Sequence, residues 1–103
     1  MNILIMCIRG DHRSVCMASI LRNEMKQRDV ITCGAYTFSQ ETLVMLYEWA
    51  DRIIVVDPKV QDAIHPEYRD KMVLLDMGDD PWGPQFNPTF MTRATLLIEQ
   101  LNL

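Results

Sequence analysis

Two hydrophobic rhythms divide this chain into strands and helices. Met1 to Cys7 is a short, nearly continuous apolar run, the pattern of a strand buried on both faces. It stops at the polar turn Arg9-Gly10-Asp11-His12-Arg13. Met17, Ile20, Leu21 and Met25 then recur at three- and four-residue spacing, with Arg22, Glu24 and Lys26 outside, which predicts a helix. Val30-Ile31-Thr32-Cys33, ending at Gly34, reads as a second strand. Ser39 is placed to cap the next helix, Glu41 complements its dipole, and Leu43, Leu46, Tyr47 and Ala50 form its apolar face. Arg52 to Val56 is the third strand. Asp57-Pro58 is an N-cap acid before a proline at the first helical position, opening a short helix towards Ile64. His65-Pro66 ends it, because a residue before proline avoids helical geometry. Met72 to Leu75 is the fourth strand, and Asp76 to Asn87 a loop containing Pro81, Gly83 and Pro84. Asn87-Pro88 starts the last helix, with a stripe of Phe90, Met91, Ala94, Leu97, Ile98 and Leu101.

Strands alternating with helices predict an α/β fold, a parallel sheet built from right-handed crossovers and covered on both faces. A length of 103 residues suits a single domain, 1–103. With 49% apolar and 23% charged residues the composition is that of a folded globular protein rather than a disordered one. The net charge of −4 argues against nonspecific attraction to nucleic acid or to an anionic membrane. The apolar runs Ile3 to Ile8 and Ile53 to Val56 fall far short of the ~20 residues that span a bilayer. Asn2-Ile3-Leu4-Ile5-Met6 lacks the basic start of a signal peptide. Three cysteines without metal-ligand spacing predict neither a disulfide scaffold nor a zinc module. The expectation is a cytoplasmic, reduced domain without metal or cofactor.

In sheets of this kind ligands bind beyond the carboxyl ends of the strands, at the topological switch point. The first strand ends at Cys7, Arg13 follows six residues later, and Ser14 comes next as a helix begins. Backbone N–H groups of such a turn and of the helix start converge on one point and bind an anion. A cysteine at the base of that ring has its thiolate stabilised by the same donors, by Arg13 and by the Ser14 hydroxyl. Arg13 offers a planar fork matched to two phosphate oxygens. Together they make a nucleophile beneath a bound phosphoryl group. An acid must then protonate the leaving oxygen, and Asp79 and Asp80 stand in the loop after the fourth strand. Trp82 beside them can wall a cleft for an aromatic substrate. The remaining candidates read as structural. Cys16 and Cys33 are packing residues, His12 a loop residue, His65 a helix-end residue, Trp49 a core residue and Asp57 an N-cap. The eight methionines fill the core.

The segment Ile5-Met6-Cys7-Ile8-Arg9-Gly10-Asp11-His12-Arg13-Ser14 resembles the phosphate loop of the low-molecular-weight protein tyrosine phosphatases, which carry Cys-x5-Arg-Ser after the first strand. Thr32-Cys33-Gly34-Ala35 looks like a relic of the family's Ser-Ala-Gly-Thr stretch. Trp49-Ala50-Asp51-Arg52-Ile53-Ile54-Val55-Val56-Asp57 is similar to the segment around its third strand, and Asp80-Pro81-Trp82 resembles its Asp-Pro-Tyr acid loop. The likeness is to a short, minimal branch. It implies a three-layer α/β fold with a four-stranded parallel sheet in the order 2-1-3-4 and helices on both faces. It also implies Cys7 as a nucleophile forming a phosphocysteine, Arg13 as the phosphate clamp, Ser14 as the hydroxyl that steadies the thiolate, and Asp80 as acid then base. Asp79 takes that role if the loop register shifts. Ile8, Arg9, Gly10, Asp11, His12 and Arg13 would ring the phosphate, with Trp82 on the substrate rim. The implied substrate is a phosphotyrosine protein or a small aryl phosphate.

Four positions depart from the family pattern. Arg9 and Gly10 stand where it has Gly and Asn, and Gly10 can adopt the left-handed conformation without the bracing bonds of the Asn. Asp11 brings a negative charge into a loop meant for an anion, so its carboxylate is expected to point outward. His12 replaces a second loop cysteine. Other functions fit less well. Arsenate reduction on this fold needs further redox cysteines, and none follows Cys33. A phosphocysteine carrier resembling the IIB components of sugar phosphotransferase systems needs neither Arg13 nor Asp80. A noncatalytic phosphate- or phosphopeptide-binding module would share the loop without the turnover.

Overall fold

The computed structural model describes residues 1–8, 13–23, 26, 29–76 and 88–100. Four strands, β1 (Ile3–Cys7), β2 (Val30–Gly34), β3 (Arg52–Val55) and β4 (Met72–Leu74), form one parallel sheet in the order β2-β1-β3-β4. The helices are α1 (Arg13–Asn23), α2 (Gln40–Trp49) and α3 (Pro88–Glu99). Two 3₁₀ helices, Pro58–Ala63 and Pro66–Lys71, carry the chain from β3 to β4.

The apolar run at the start of the chain does what its continuity requires. All five residues of β1 are buried, because β1 is central and both its faces are covered. Side chains alternate between two cores. Ile3, Ile5 and Cys7 pack with Cys16, Met17, Ile20 and Leu21 of α1 and with Ala94 and Ile98 of α3. Leu4 and Met6 face the other way, into Leu43 and Tyr47 of α2 and Val60 and Ile64 of the first 3₁₀ segment. The side of the sheet changes where the direction of winding changes. From β1 the chain steps outward to β2 through α1; from β2 it returns over β1 to β3 through α2. Crossovers of one hand must then lie on opposite faces. The exits of β1 and β3 diverge at this reversal, and this is the switch point.

Local chemistry fixes the joints. Ser39 caps α2, its Oγ accepting the Thr42 N–H at 3.2 Å. Lys71 closes the other end of that helix, its Nζ donating to the Tyr47 and Ala50 carbonyls at 3.0 and 2.9 Å. Asp57 caps the first 3₁₀ helix through the Lys59 N–H at 2.9 Å. His65 is extended (φ −59°, ψ 139°) before Pro66, which separates the two 3₁₀ helices. The strands predicted to reach Val56 and Leu75 end one residue earlier. The ladder continues nevertheless, since Val56 N–H donates to the Met6 carbonyl (3.1 Å) and Leu75 N–H to the Val55 carbonyl (2.8 Å). Met25, Leu101 and the loop at 77–87 lie outside the described residues. Among the described residues no helix is long and apolar enough to cross a membrane.

Candidate active site

Cys7 is the last residue of β1 and Arg13 the first of α1, so strand end and helix start face each other across a short connection. Cys7 Sγ lies 3.1 Å from Ser14 Oγ, and both residues are buried, 2% and 0% exposed. A hydroxyl at that distance can donate to a thiolate and stabilise the charge. The first turn of α1 contains no acid. The first N–H groups of a helix have no intrahelical partner, and its positive dipole end favours a negative charge.

The neighbouring strands hold this end of β1 from both sides. Ala35 N–H donates to the Cys7 carbonyl at 2.9 Å and Tyr36 N–H to the Ile8 carbonyl at 3.4 Å. On the β3 side, the register Met6↔Val55 continues through the Val56 to Met6 bond and sets Asp57 level with Ile8. Ser14 and Asp57 are the buried polar residues among those described, and both stand at this edge of the sheet. Buried polar groups carry a desolvation cost that packing alone does not explain. Ser14 is hydrogen-bonded to Cys7 and Asp57 to the Lys59 N–H, so both bury their polar atoms with a partner.

The other two thiols have a different setting. Cys16, on α1, is fully buried, with its Sγ 3.2 Å from Met91 Sδ, and burial pushes its thiol up to about 11. Cys33, on β2, is pushed up to about 12, first by burial and then by electrostatic interaction with Cys7. Both are held as neutral, packed thiols, as their positions in the sequence suggest. None of the three cysteines is disulfide-bonded.

Of the residues expected at the site, Cys7, Ile8 and Ser14 are brought together, with Ile8 half-buried against the α2-side core. Arg13 opens α1, and nothing further is described of its side chain. Arg9, Gly10, Asp11, His12, Asp79, Asp80 and Trp82 lie outside the described residues. The Asp57 cap is present as expected, and its place beside the exit of β1 adds to that reading. Tyr36 is a further residue at this edge, and its place just after the second strand's Gly34 is the signal that puts it there. Trp49 is half-buried against the α2-side core, and His65 Nε2 meets Gln40 Oε1 at 3.1 Å.

No protein-family model matches the sequence, and no curated protein sequence matches it either. A search of solved structures finds the YwlE arginine phosphatase from Geobacillus stearothermophilus at a TM-score of 0.67, covering 98% of this chain and 92% of that one. The fold is shared. At 20% identity the likeness is one of architecture. It matches the four-stranded sheet and flanking helices that the phosphatase resemblance implies.

Proposed function

We propose that this protein is a cysteine-dependent phosphomonoester hydrolase of the low-molecular-weight protein tyrosine phosphatase type. The observation that carries the reading is the Cys7 Sγ to Ser14 Oγ contact of 3.1 Å at the start of α1. The fold shared with a phosphatase supports it.

In the proposed reaction the Cys7 thiolate attacks phosphorus while Arg13 and the loop N–H groups from Ile8 to Arg13 hold the phosphoryl oxygens. The P–O bond to the leaving group breaks as Asp80 gives that oxygen its proton, leaving a phosphocysteine. Water then attacks phosphorus, Asp80 takes its proton, the P–S bond breaks, and the electron pair returns to sulfur as a thiolate. Ser14 steadies that thiolate at both ends of the cycle. The substrate is a phosphotyrosine protein or a small aryl phosphate in the cytoplasm, with Trp82 beside the leaving group. A second reading, phosphoarginine hydrolysis through the same thiolate with a P–N bond broken, is favoured by the fold shared with an arginine phosphatase.

Hydrolysis of p-nitrophenyl phosphate in a chelator-treated assay, run across pH, tests the class. Turnover that disappears in Cys7→Ser is expected; absence of turnover in the wild type overturns the reading. Phosphotyrosine and phosphoarginine peptides in the same assay separate the two substrates.

A further inference from the structure

Tyr36 is 64% exposed, yet it is held at both ends. Its backbone N–H donates to the Ile8 carbonyl at 3.4 Å, and the N–H of the residue before it, Ala35, donates to the Cys7 carbonyl at 2.9 Å. Its phenol hydroxyl donates to the Lys59 carbonyl at 3.2 Å, in the 3₁₀ helix that leaves β3. Tyr36 follows β2 and Lys59 follows β3, and β1 lies between those two strands. Two inter-strand spacings, about 9.6 Å, separate the outer pair. The Tyr36 side chain therefore bridges the exits of the strands that flank β1, level with the residue after Cys7. Its far anchor is fixed, because the Lys59 N–H is itself held by Asp57 Oδ1 at 2.9 Å and Asp57 is buried.

An exposed ring in this position does little for the core. Its single hydroxyl bond faces water that can replace it. What it does present is an exposed aromatic face across the exit of β1, the strand that Cys7 ends. We propose that Tyr36 is a specificity residue: its ring walls the entrance to Cys7 and stacks on a flat, aromatic group attached to phosphorus, with the Lys59 bond setting the angle of the ring. The proposal rests on the phosphatase reading for the position of the phosphoryl group. It adds a determinant that lies on the loop after β2, away from the phosphate loop and from the acid loop.

Calorimetric binding of phenylphosphonate and methylphosphonate to the whole chain tests it without requiring turnover, with p-nitrophenyl phosphate hydrolysis measured in parallel. Tyr36→Ala is expected to weaken phenylphosphonate by about 3- to 10-fold while leaving methylphosphonate unchanged, and Tyr36→Phe to keep the preference within about twofold. Equal weakening of both ligands in Tyr36→Ala, or no change in either, overturns the proposal and leaves the hydrolase reading standing. A Tyr36-dependent preference in a protein that hydrolyses nothing supports the proposal and overturns the hydrolase reading. Failure of the wild type to bind either phosphonate overturns the proposal, while the hydrolase reading stands or falls on the turnover measured in parallel.

Discussion

Cys7 and Cys33 lie on adjacent strands near the same edge of the sheet, both buried, and the structure treats them in opposite ways. Cys33 pairs in register with Met6, so it faces the α2 side among Leu4, Met6, Leu43 and Tyr47. Its thiol is pushed up to about 12 and stays protonated at neutral pH. Cys7 faces the α1 side, where a buried hydroxyl stands 3.1 Å from its sulfur at the start of a helix with no acid in its first turn. Burial is therefore common to both thiols, and what distinguishes Cys7 is the hydroxyl buried beside it. The opposite facings also keep the two apart chemically. A disulfide needs the Cβ atoms within about 4.5 Å, and the sheet stands between them.

The contrast can be broken most directly at the sulfur. Cys7→Ser is expected to lower kcat on p-nitrophenyl phosphate by about 10³-fold or more. Cys33→Ala should leave kcat within about twofold, since it removes only a packed thiol. Comparable losses in both would erase the distinction. Next comes the acid: Asp80→Ala should slow phenolic esters by about 10²–10⁴-fold and esters of very acidic leaving groups far less. An equal loss on both substrates would remove Asp80 from that role. Ser14→Ala takes away the hydroxyl beside Cys7. A hydrogen bond to a charged group contributes about 1.5–3 kcal/mol, so kcat should fall by about 10- to 100-fold. Iodoacetamide labelling of Cys7 against pH should shift to higher pH in the same variant, and an unchanged profile would detach Ser14 from the thiolate.

The inert thiols supply a test of sign. Cys16 and Cys33 are raised from the ordinary 9.0 to about 11 and about 12, so the folded chain holds their protons more tightly than the unfolded chain. The stability this contributes is complete below the unfolded value and is lost as pH rises through the folded ones. Melting temperature should decline over that alkaline range, and less steeply in Cys33→Ala; a decline of the same slope in the variant would show that Cys33 is not the group responsible. The smallest effect is expected at Tyr47, whose buried Oη has no hydrogen-bond partner among the described residues. Tyr47→Phe removes a polar atom that gains nothing from folding, and its stability should be equal to the wild type or higher by about 1 kcal/mol. A marked loss would point to a partner for that hydroxyl.

Much of this layout was legible before any coordinates. The unbroken run ending at Cys7 marked a central strand, and Ser39, Asp57 and the His65-Pro66 step marked caps and a stop through chemistry confined to a few residues. The spacing of Cys7, Arg13 and Ser14 placed the candidate chemistry at a strand-to-helix turn, and Ser14 Oγ lies 3.1 Å from Cys7 Sγ there. The second 3₁₀ helix was missed because Pro66-Glu67-Tyr68-Arg69-Asp70-Lys71 carries no apolar period, and it buries no residue fully. The bridge from Tyr36 to Lys59 was also invisible, since a side-chain contact between two distant loops leaves no local pattern, and the strand order 2-1-3-4 itself came from the family resemblance. Strand order is a tertiary property that local pattern does not encode. The roles assigned to Asp80 and Trp82 stand on the sequence alone.

The central claim is that the Cys7 sulfur forms a bond to phosphorus. Wild-type protein mixed with p-nitrophenyl phosphate and quenched in base during turnover should yield, by mass spectrometry of its peptides, a phosphoryl group on Cys7. Active turnover with Cys7 unmodified, or with the phosphoryl group on another residue, would contradict it.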